Sequence, residues 1–145
     1  MSNGVPFETT LHIRDHCLCL HAQQAARALS RLFDAVMRPL GITSGQFSLL
    51  NAVNRPKPAP IGSVARLLVM DRTTLTANLK PLERKGLIAI APDPEDRRGR
   101  LVSLTDKGRE VLAKAVPLWN ELHSELEGKL DGGGDRLRSG LRTLS

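Results

Sequence analysis

Three arginines lie together in a short turn between two apolar segments. Residues 93–105 read DPEDRRGRLVSLT, where proline and glycine favour a tight turn with Arg97, Arg98 and Arg100 at its tip. A guanidinium is permanently charged and fits a phosphate, the edge of guanine or a narrow, electronegative minor groove. Arginines at the tip of a thin ribbon therefore predict contact with DNA. The alternative interpretation is an ordinary solvated turn.

A second candidate surface lies on a predicted helix that precedes this turn. Leu75, Leu79 and Leu82 recur at i, i+4 and i+7, which predicts a buried face. The opposite face would carry small, hydroxyl and basic side chains, namely Arg72, Thr73, Thr76, Ala77, Lys80 and Arg84. A threonine hydroxyl or methyl suits a base edge, and an arginine at the helix start suits a phosphate or guanine. This pattern predicts a recognition helix, although such a face is also typical of plain solvated surface.

The flanking segments predict how these two surfaces are held. A short helix over residues 63–68, a turn, and a helix from Arg72 or Thr73 to Lys85 that Gly86 closes match a helix-turn-helix. The apolar segments IAIAP and LVSLT predict a β-hairpin around the arginine turn. Asp96 is placed to form a salt bridge that aims Arg98.

Helical patterns also occupy both ends of the chain. Apolar residues predict one continuous helix over residues 11–37, a second helix that starts at Thr43 or Ser44, and a long helix over 106–130. The segment NRPKPAP (54–60) predicts a rigid connector. A short last helix would carry Leu137, Leu141 and Leu144. Together these elements predict a mainly α fold with a small β-hairpin wing.

The composition favours a compact protein with an anionic partner. The chain has 145 residues, 41% of them hydrophobic, with no tyrosine and few other aromatic residues. Its formal net charge is +6, and residues 61–109 hold ten Lys or Arg against six Asp or Glu, a net of +4. No signal segment or bilayer-spanning stretch is recognisable, and the two cysteines make no disulfide framework. We expect a protein of the reducing cytoplasm, without membrane contact.

Two long segments resemble a known family. MDRTTLTANLKPLERKGLI and DPEDRRGRLVSLTDKG are similar to the MarR family of bacterial transcription regulators, as is LGITSGQFSLL before them. The resemblance implies a winged helix-turn-helix homodimer whose first and last helices interlock, a palindromic double-stranded operator, and repression relieved by a small molecule. It places residues 72–80, Thr74 included, in the major groove and Arg98 in the minor groove. One departure is IAIAPD, where many relatives carry a basic residue.

The amphipathic ends of the chain predict the same dimer on physical grounds. They offer more apolar surface than one small winged domain can cover, and an isologous two-fold interface would bury it. We therefore divide the chain into an N-terminal dimerisation helix (1–40), a winged helix-turn-helix DNA-binding domain (41–109) and C-terminal dimerisation helices (110–145). Two recognition helices would then lie about one DNA turn, roughly 34 Å, apart.

The resemblance implies a small effector, aromatic or anionic, which the sequence does not identify. The resemblance places an effector cavity between the dimer helices and the DNA-binding lobe, with Arg14, His16, Cys17, Leu20 and Phe47 as candidate residues. His12 and His16 have metal-ligand spacing, but nothing nearby completes a coordination shell, so we predict no metal and no cofactor.

The two cysteines leave a further alternative open. Cys17 and Cys19 lie two apart on the predicted first helix, where they could not pair with each other while the helix persists. They are either small buried apolar residues or a redox switch that oxidises to a sulfenic acid or an intersubunit disulfide. A thiol enzyme is a remote alternative, and we predict that the protein is not an enzyme.

Overall fold

The computed structural model describes residues 4–145 and is mainly helical. A 3-10 turn, Arg38–Leu40, follows the second helix. The elements in chain order are α1 (Phe7–His16), α2 (Leu18–Met37), α3 (Ser44–Val53), β1 (Ala59–Pro60), α4 (Ile61–Leu68), α5 (Arg72–Arg84), β2 (Ile88–Asp93), β3 (Asp96–Leu104), α6 (Asp106–Gly128) and α7 (Gly133–Thr143). The predicted fold class, helices with a small β wing, is confirmed.

The hydrophobic core lies where α3, α4, α5 and the sheet meet the first half of α6. Leu75, Leu79 and Leu82 are fully buried, which confirms the predicted inner face of α5. Their neighbours in the core include Leu50 of α3 and Val64 of α4. Burial of such side chains contributes about 1.5–3 kcal/mol each, so the core fixes which face of α5 is left for solvent.

The wing belongs to a three-stranded antiparallel sheet in the order β1-β3-β2. The predicted hairpin is confirmed, with Ile88 opposite Leu104 and Ile90 opposite Val102. The interpretation of residues 54–60 as a connector only is incomplete, because Ala59 pairs with Val102 across β1 and β3. Two residues are too short for an alternating pattern, so this strand exists only because the folded chain brings β3 beside it.

The first predicted helix is interrupted at Cys17, so the interpretation of residues 11–37 as one helix is wrong. Cys17 has extended backbone angles (φ −65°, ψ 112°), and α1 already begins at Phe7. The backbone N–H of Leu20 donates to the Cys17 Sγ at 3.4 Å, so the thiol caps α2. Apolar periodicity survives a one-residue interruption, which is why the sequence pattern did not reveal it.

Side-chain caps set the start of α3. Thr43 and Gln46 form a reciprocal capping box, which confirms the predicted start of this helix. Asp34 of α2 adds a second link, because its Oδ1 accepts a hydrogen bond from the Ser44 backbone N–H at 2.7 Å. This hydrogen bond lowers the pKa of Asp34. The carboxylate therefore ties α2 to the start of α3.

The junction between the wing and α6 allows no side chain at Gly108. This residue is buried, and a Cβ there would collide with the carbonyl oxygen of Leu87. Thr105 caps α6 by accepting from the Gly108 N–H at 3.0 Å, and its hydroxyl donates to the Gly86 carbonyl at 2.6 Å. The end of α5, the wing and α6 are thereby joined at one point.

Apolar side chains remain exposed along the terminal helices. They include Leu18, Leu29 and Leu32 of α2 and Leu137 and Leu141 of α7. A single copy of the chain does not cover this apolar surface. The predicted division into three domains, with boundaries at 40 and 110, stays a prediction. Among residues 4–145, no helix has the length and apolar character that crossing a bilayer requires.

Candidate nucleic-acid interface

The start of α5 is fixed by Asp71, which lies in the turn before this helix and caps it. Its Oδ1 accepts from the Thr74 backbone N–H and its Oδ2 from the Thr74 hydroxyl, both at 2.8 Å. The backbone hydrogen bond from Thr74, followed by the hydroxyl, lowers the pKa of Asp71. The Thr74 hydroxyl is therefore already engaged within the protein, whereas the Thr73 and Thr76 hydroxyls make no hydrogen bond to another residue of the range 4–145.

The outer face of α5 forms a shallow concave surface of about 370 Å3. Arg72, Thr73, Thr76, Ala77 and Lys80 line it. Small side chains in the middle let a partner approach the helix backbone closely, and cations stand at both ends. A positively charged, hydroxyl-bearing surface of this shape suits the edge of a nucleic-acid base between two phosphates.

Arg72 lies across the helix that precedes α5. A Cβ at Gly62 would collide with the Arg72 Nη2, and Gly62 is the second residue of α4. The guanidinium therefore lies in the space that a side chain at position 62 would fill, and it would have to move if one were present. No local sequence pattern relates Gly62 to Arg72, because the two residues are ten apart and lie in different helices.

The wing turns at residues 93–96. Asp93 opposes Asp96 after an irregularity at Pro92, and the Asp93 Oδ1 accepts from the Glu95 backbone N–H at 2.9 Å. The Asp96 Oδ1 accepts from the backbone N–H of Arg98 at 3.0 Å. Asp96 thus shapes the turn through the backbone, and the predicted salt bridge to the Arg98 guanidinium is wrong for the described residues.

All eleven residues predicted to bind DNA are exposed, and they fall on two surfaces. The α5 surface carries seven of them, with Arg84 near its far end, and the wing carries Asp96, Arg97, Arg98 and Arg100. The guanidinium of Arg100 donates to the Gly99 carbonyl at 3.0 Å. The structure gives the Arg97 and Arg98 side chains no ion pair within residues 4–145, which leaves both free for an anionic partner.

Comparison with known proteins identifies this arrangement. A protein-family model with the description MarR family matches residues 40–99 of this chain. The transcriptional activatory protein BadR of Rhodopseudomonas palustris is 37% identical over 91 residues, which cover 61% of this chain and about half (52%) of BadR. The M. tuberculosis regulator MosR in complex with DNA is 35% identical with a TM-score of 0.82, and the match covers 89% of this chain and 93% of MosR. The chain belongs to the MarR family.

A second MarR-family structure agrees over the whole fold. An E. coli MarR mutant in complex with operator DNA is 27% identical with a TM-score of 0.81, and the match covers 91% of this chain and 96% of that one. The resemblance proposed from the sequence is thus confirmed, and the chain is a winged helix-turn-helix transcription regulator. The individual DNA contacts of its α5 and wing stay predictions.

Two clefts on this MarR-family chain share Phe47, Ser48 and Trp119. The larger, here called the α4 cleft, has a volume of about 510 Å3 and is lined by Phe47, Ser48, Asn51, Ala52, Leu67, Leu68, Val116, Trp119 and Asn120. The smaller, here called the α2 cleft, has about 280 Å3 and is lined by Leu29, Ser30, Phe33, Ser44, Gly45, Phe47, Ser48 and Trp119. Of the five predicted effector residues, Phe47 lines both clefts.

The other four predicted effector residues line neither cleft. Arg14 is exposed, and its Nε donates to the Asp15 Oδ1 at 2.8 Å. His16 stacks on His12 with ring centroids 4.2 Å apart. Cys17 and Leu20 are half-buried at the interruption between α1 and α2. Their role as effector ligands stays a prediction.

The two cysteines are not the small buried apolar residues that one of the two interpretations of the sequence predicts. Cys19 is exposed and Cys17 is half-buried, and both thiols are free. The Gln23 side-chain amide donates to the Cys19 Sγ at 3.2 Å. Both sulfurs therefore accept an N–H hydrogen bond near the surface. Within residues 4–145 no cluster of three or more His, Cys, Asp or Glu side chains is arranged to hold a metal ion.

Proposed function

We propose that this chain is a homodimeric regulator that binds a palindromic double-stranded operator. The observation that carries the proposal is the exposed α5 surface, whose opposite face is held in the core by three fully buried leucines. In the proposed complex α5 enters the major groove and Arg98 of the wing reaches the adjacent minor groove. Neutralised phosphates would make the affinity fall steeply with salt.

The dimer is proposed from the exposed apolar side chains of the terminal helices. Leu18 and Leu144 are each 68% exposed, and Leu32, Leu137 and Leu141 are between 45% and 48% exposed. A two-fold interface between copies of α2, α6 and α7 would remove this surface from water at about 25 cal/mol per Å2. The same symmetry explains why a palindrome would be the preferred site.

The regulatory outcome is proposed as repression of a nearby operon that a small molecule relieves. A dimer bound across a promoter excludes the polymerase, and the same dimer bound upstream recruits it. The position of the operator therefore decides whether transcription is repressed or activated. BadR is named as an activator, which makes the position of the operator the decisive observation for this chain. The proposed place of action is the cytoplasm, where the DNA is, and the proposed role involves no catalysis.

Selection of bound duplexes from a random pool would test this function. We expect an enriched palindrome with half-sites one helical turn apart, bound by a species that sediments as a dimer. An operator with one half-site scrambled is the matched control and should bind much more weakly. A protein that sediments as a monomer and enriches no sequence at low salt would contradict the proposal.

A second candidate function is peroxide-responsive regulation through the cysteines. The observation in its favour is that Cys19 is exposed, while Cys17 caps α2 at an interruption between two helices. Oxidation of either thiolate by a hydroperoxide gives a sulfenic acid and an alcohol. The added oxygen at Cys17 would disturb the cap and so the position of α2.

A further inference from the structure

We propose that the backbone carbonyl of Ala77 reads one base of the operator, by accepting a hydrogen bond from the amino group of an adenine or a cytosine in the major groove. The inference rests on the proposed function, in which α5 enters that groove, and it adds a contact that no side chain makes. The residue that exposes this carbonyl is Pro81, which lies inside α5.

Pro81 removes the hydrogen-bond donor that the Ala77 carbonyl would otherwise have. In an α-helix each carbonyl accepts from the backbone N–H four residues later, and proline has no N–H. Residues 76–84 contain no other proline, so the other carbonyls of residues 72–80 each keep such an N–H. No side chain within residues 4–145 donates to the Ala77 carbonyl. This carbonyl alone in that part of α5 therefore lacks its helical donor.

The Ala77 carbonyl lies on the face of α5 that we expect to meet DNA. Ala77 is exposed and lines the concave α5 surface beside Thr73 and Lys80. The residue four positions later lies only about 40° further around the helix axis, so the carbonyl shares the face of its own side chain. The Pro81 ring crowds this oxygen and tilts the carbonyl away from the axis. The Ala77 side chain is a single methyl group, which leaves room for the edge of a base.

The chemistry of the α5 surface makes this acceptor selective. None of the five residues that line the surface is Asp, Glu, Asn or Gln. Their ammonium and guanidinium groups only donate, and their hydroxyls both donate and accept, whereas a carbonyl only accepts. In the major groove, adenine and cytosine present an amino group where guanine and thymine present an oxygen. The Ala77 carbonyl therefore favours an amino group at the base that it faces.

Loss of water gives this contact its power to discriminate. The exposed Ala77 carbonyl has water as a partner in the free protein, and docking of α5 in the groove removes that water. The amino group of a base replaces the lost hydrogen bond. A base oxygen instead leaves the carbonyl unpaired and places two acceptors against each other. We therefore expect the carbonyl to contribute more to sequence preference than to affinity.

A second proline provides a matched control. Pro117 lies inside α6 and removes the N–H that would pair with the carbonyl of Ala113. Ala113 is exposed, as Ala77 is, but it belongs neither to the α5 surface nor to the wing. Pro81→Ala and Pro117→Ala therefore restore the same helical hydrogen bond, one on the proposed DNA-binding face and one away from it. Each substitution removes a helix-breaking residue, so both variants should fold.

The experiment removes single amino groups from the operator. The duplex is the one that the full chain enriches from the random pool. Each adenine in it is replaced in turn by unsubstituted purine and each cytosine by pyrimidin-2-one, which deletes only the amino group. Fluorescence anisotropy at matched salt then gives the Kd of the parent, Pro81→Ala and Pro117→Ala for every duplex. Any weakening of the base pair itself is common to the three proteins.

We expect one adenine or cytosine in each half-site to respond differently to the two variants. Loss of its amino group should weaken binding of the parent and of Pro117→Ala by about threefold to tenfold, the effect of one hydrogen bond. The same deletion should change the Kd of Pro81→Ala by less than about twofold, because its Ala77 carbonyl is already paired within the helix. On the intact operator Pro81→Ala should bind more weakly than Pro117→Ala.

The possible results separate this inference from the proposed function. If every amino deletion costs Pro81→Ala as much as it costs the parent, the carbonyl makes no base contact and the inference is wrong. This holds even where Pro81→Ala binds more weakly to all duplexes, since a uniform loss would come from the bend of α5. A parent that binds no duplex at low salt rejects the regulatory function itself, and the inference falls with it.

Discussion

The guanidinium of Arg72 occupies the space beside Gly62 that a Cβ at position 62 would fill. The first residue of the recognition helix is thereby held against the second residue of the helix before it. This contact joins the two halves of the helix-turn-helix through a side chain that we expect to touch DNA.

We expect Gly62→Ala to weaken operator binding by up to about 1 kcal/mol while the protein remains folded, because only the far end of a flexible side chain must move. Arg72→Ala should weaken it by about 1–3 kcal/mol. The pair Gly62→Ala and Arg72→Ala should be no worse than Arg72→Ala alone, as a double-mutant cycle at constant salt would show. Additive losses would mean that Gly62 acts independently of Arg72.

Arg98 provides the test of the wing. Arg98→Ala should reduce operator affinity by about 1–3 kcal/mol, because a guanidinium in a narrow minor groove loses all its contacts on truncation. Lys129→Ala removes the same charge after the end of α6 and is the control. Fluorescence anisotropy at matched salt would measure both. Equal effects from the two substitutions would mean that the wing does not contact the operator.

Asp71 should make the stability of α5 depend on acid pH. Its pKa is lowered from 3.8 by the Thr74 hydrogen bonds, so the carboxylate stabilises the folded state above pH 3.8. That contribution is lost as the pH falls through the lowered pKa. Asp71→Ala should therefore reduce the free energy of unfolding at neutral pH, and the difference from the parent should shrink in acid.

Gly108 should be intolerant of any side chain. Gly108→Ala places a Cβ against the Leu87 carbonyl, which is backbone and moves only with the sheet, so we expect a loss of about 2–3 kcal/mol in denaturant unfolding. Gly128→Ala in the same helix meets nothing within 4 Å and is the matched control. Similar stabilities of the two variants would show that the backbone at this junction can move to accommodate a side chain at position 108.

We expect the side chains of the two cysteines to contribute nothing to operator affinity. Replacement of both Cys17 and Cys19 by serine should leave operator affinity within a factor of about two, since neither lies on the α5 surface or the wing. If the protein senses hydroperoxides, cumene hydroperoxide should release the parent from DNA and leave the double variant bound. Release of both proteins to the same extent would exclude a cysteine switch.

The sequence by itself determined the elements whose information is local. Leucines spaced at i, i+4 and i+7 predict the buried face of α5, and Thr43 or Ser44 predicts the start of α3. The apolar segments IAIAP and LVSLT around the arginine turn predict the wing. In each case the deciding interactions lie within a few residues along the chain, so periodicity and capping chemistry suffice.

The tertiary structure alone decided the features that depend on distant residues. The pairing of Ala59 with Val102, the contact of Gly62 with Arg72 and the meeting of Phe47 with Trp119 join segments that no local pattern relates. The interruption at Cys17 and the backbone role of Asp96 were hidden for another reason. In both, a side chain accepts a hydrogen bond from a backbone N–H two or three residues later, and residue type alone does not determine whether that bond forms.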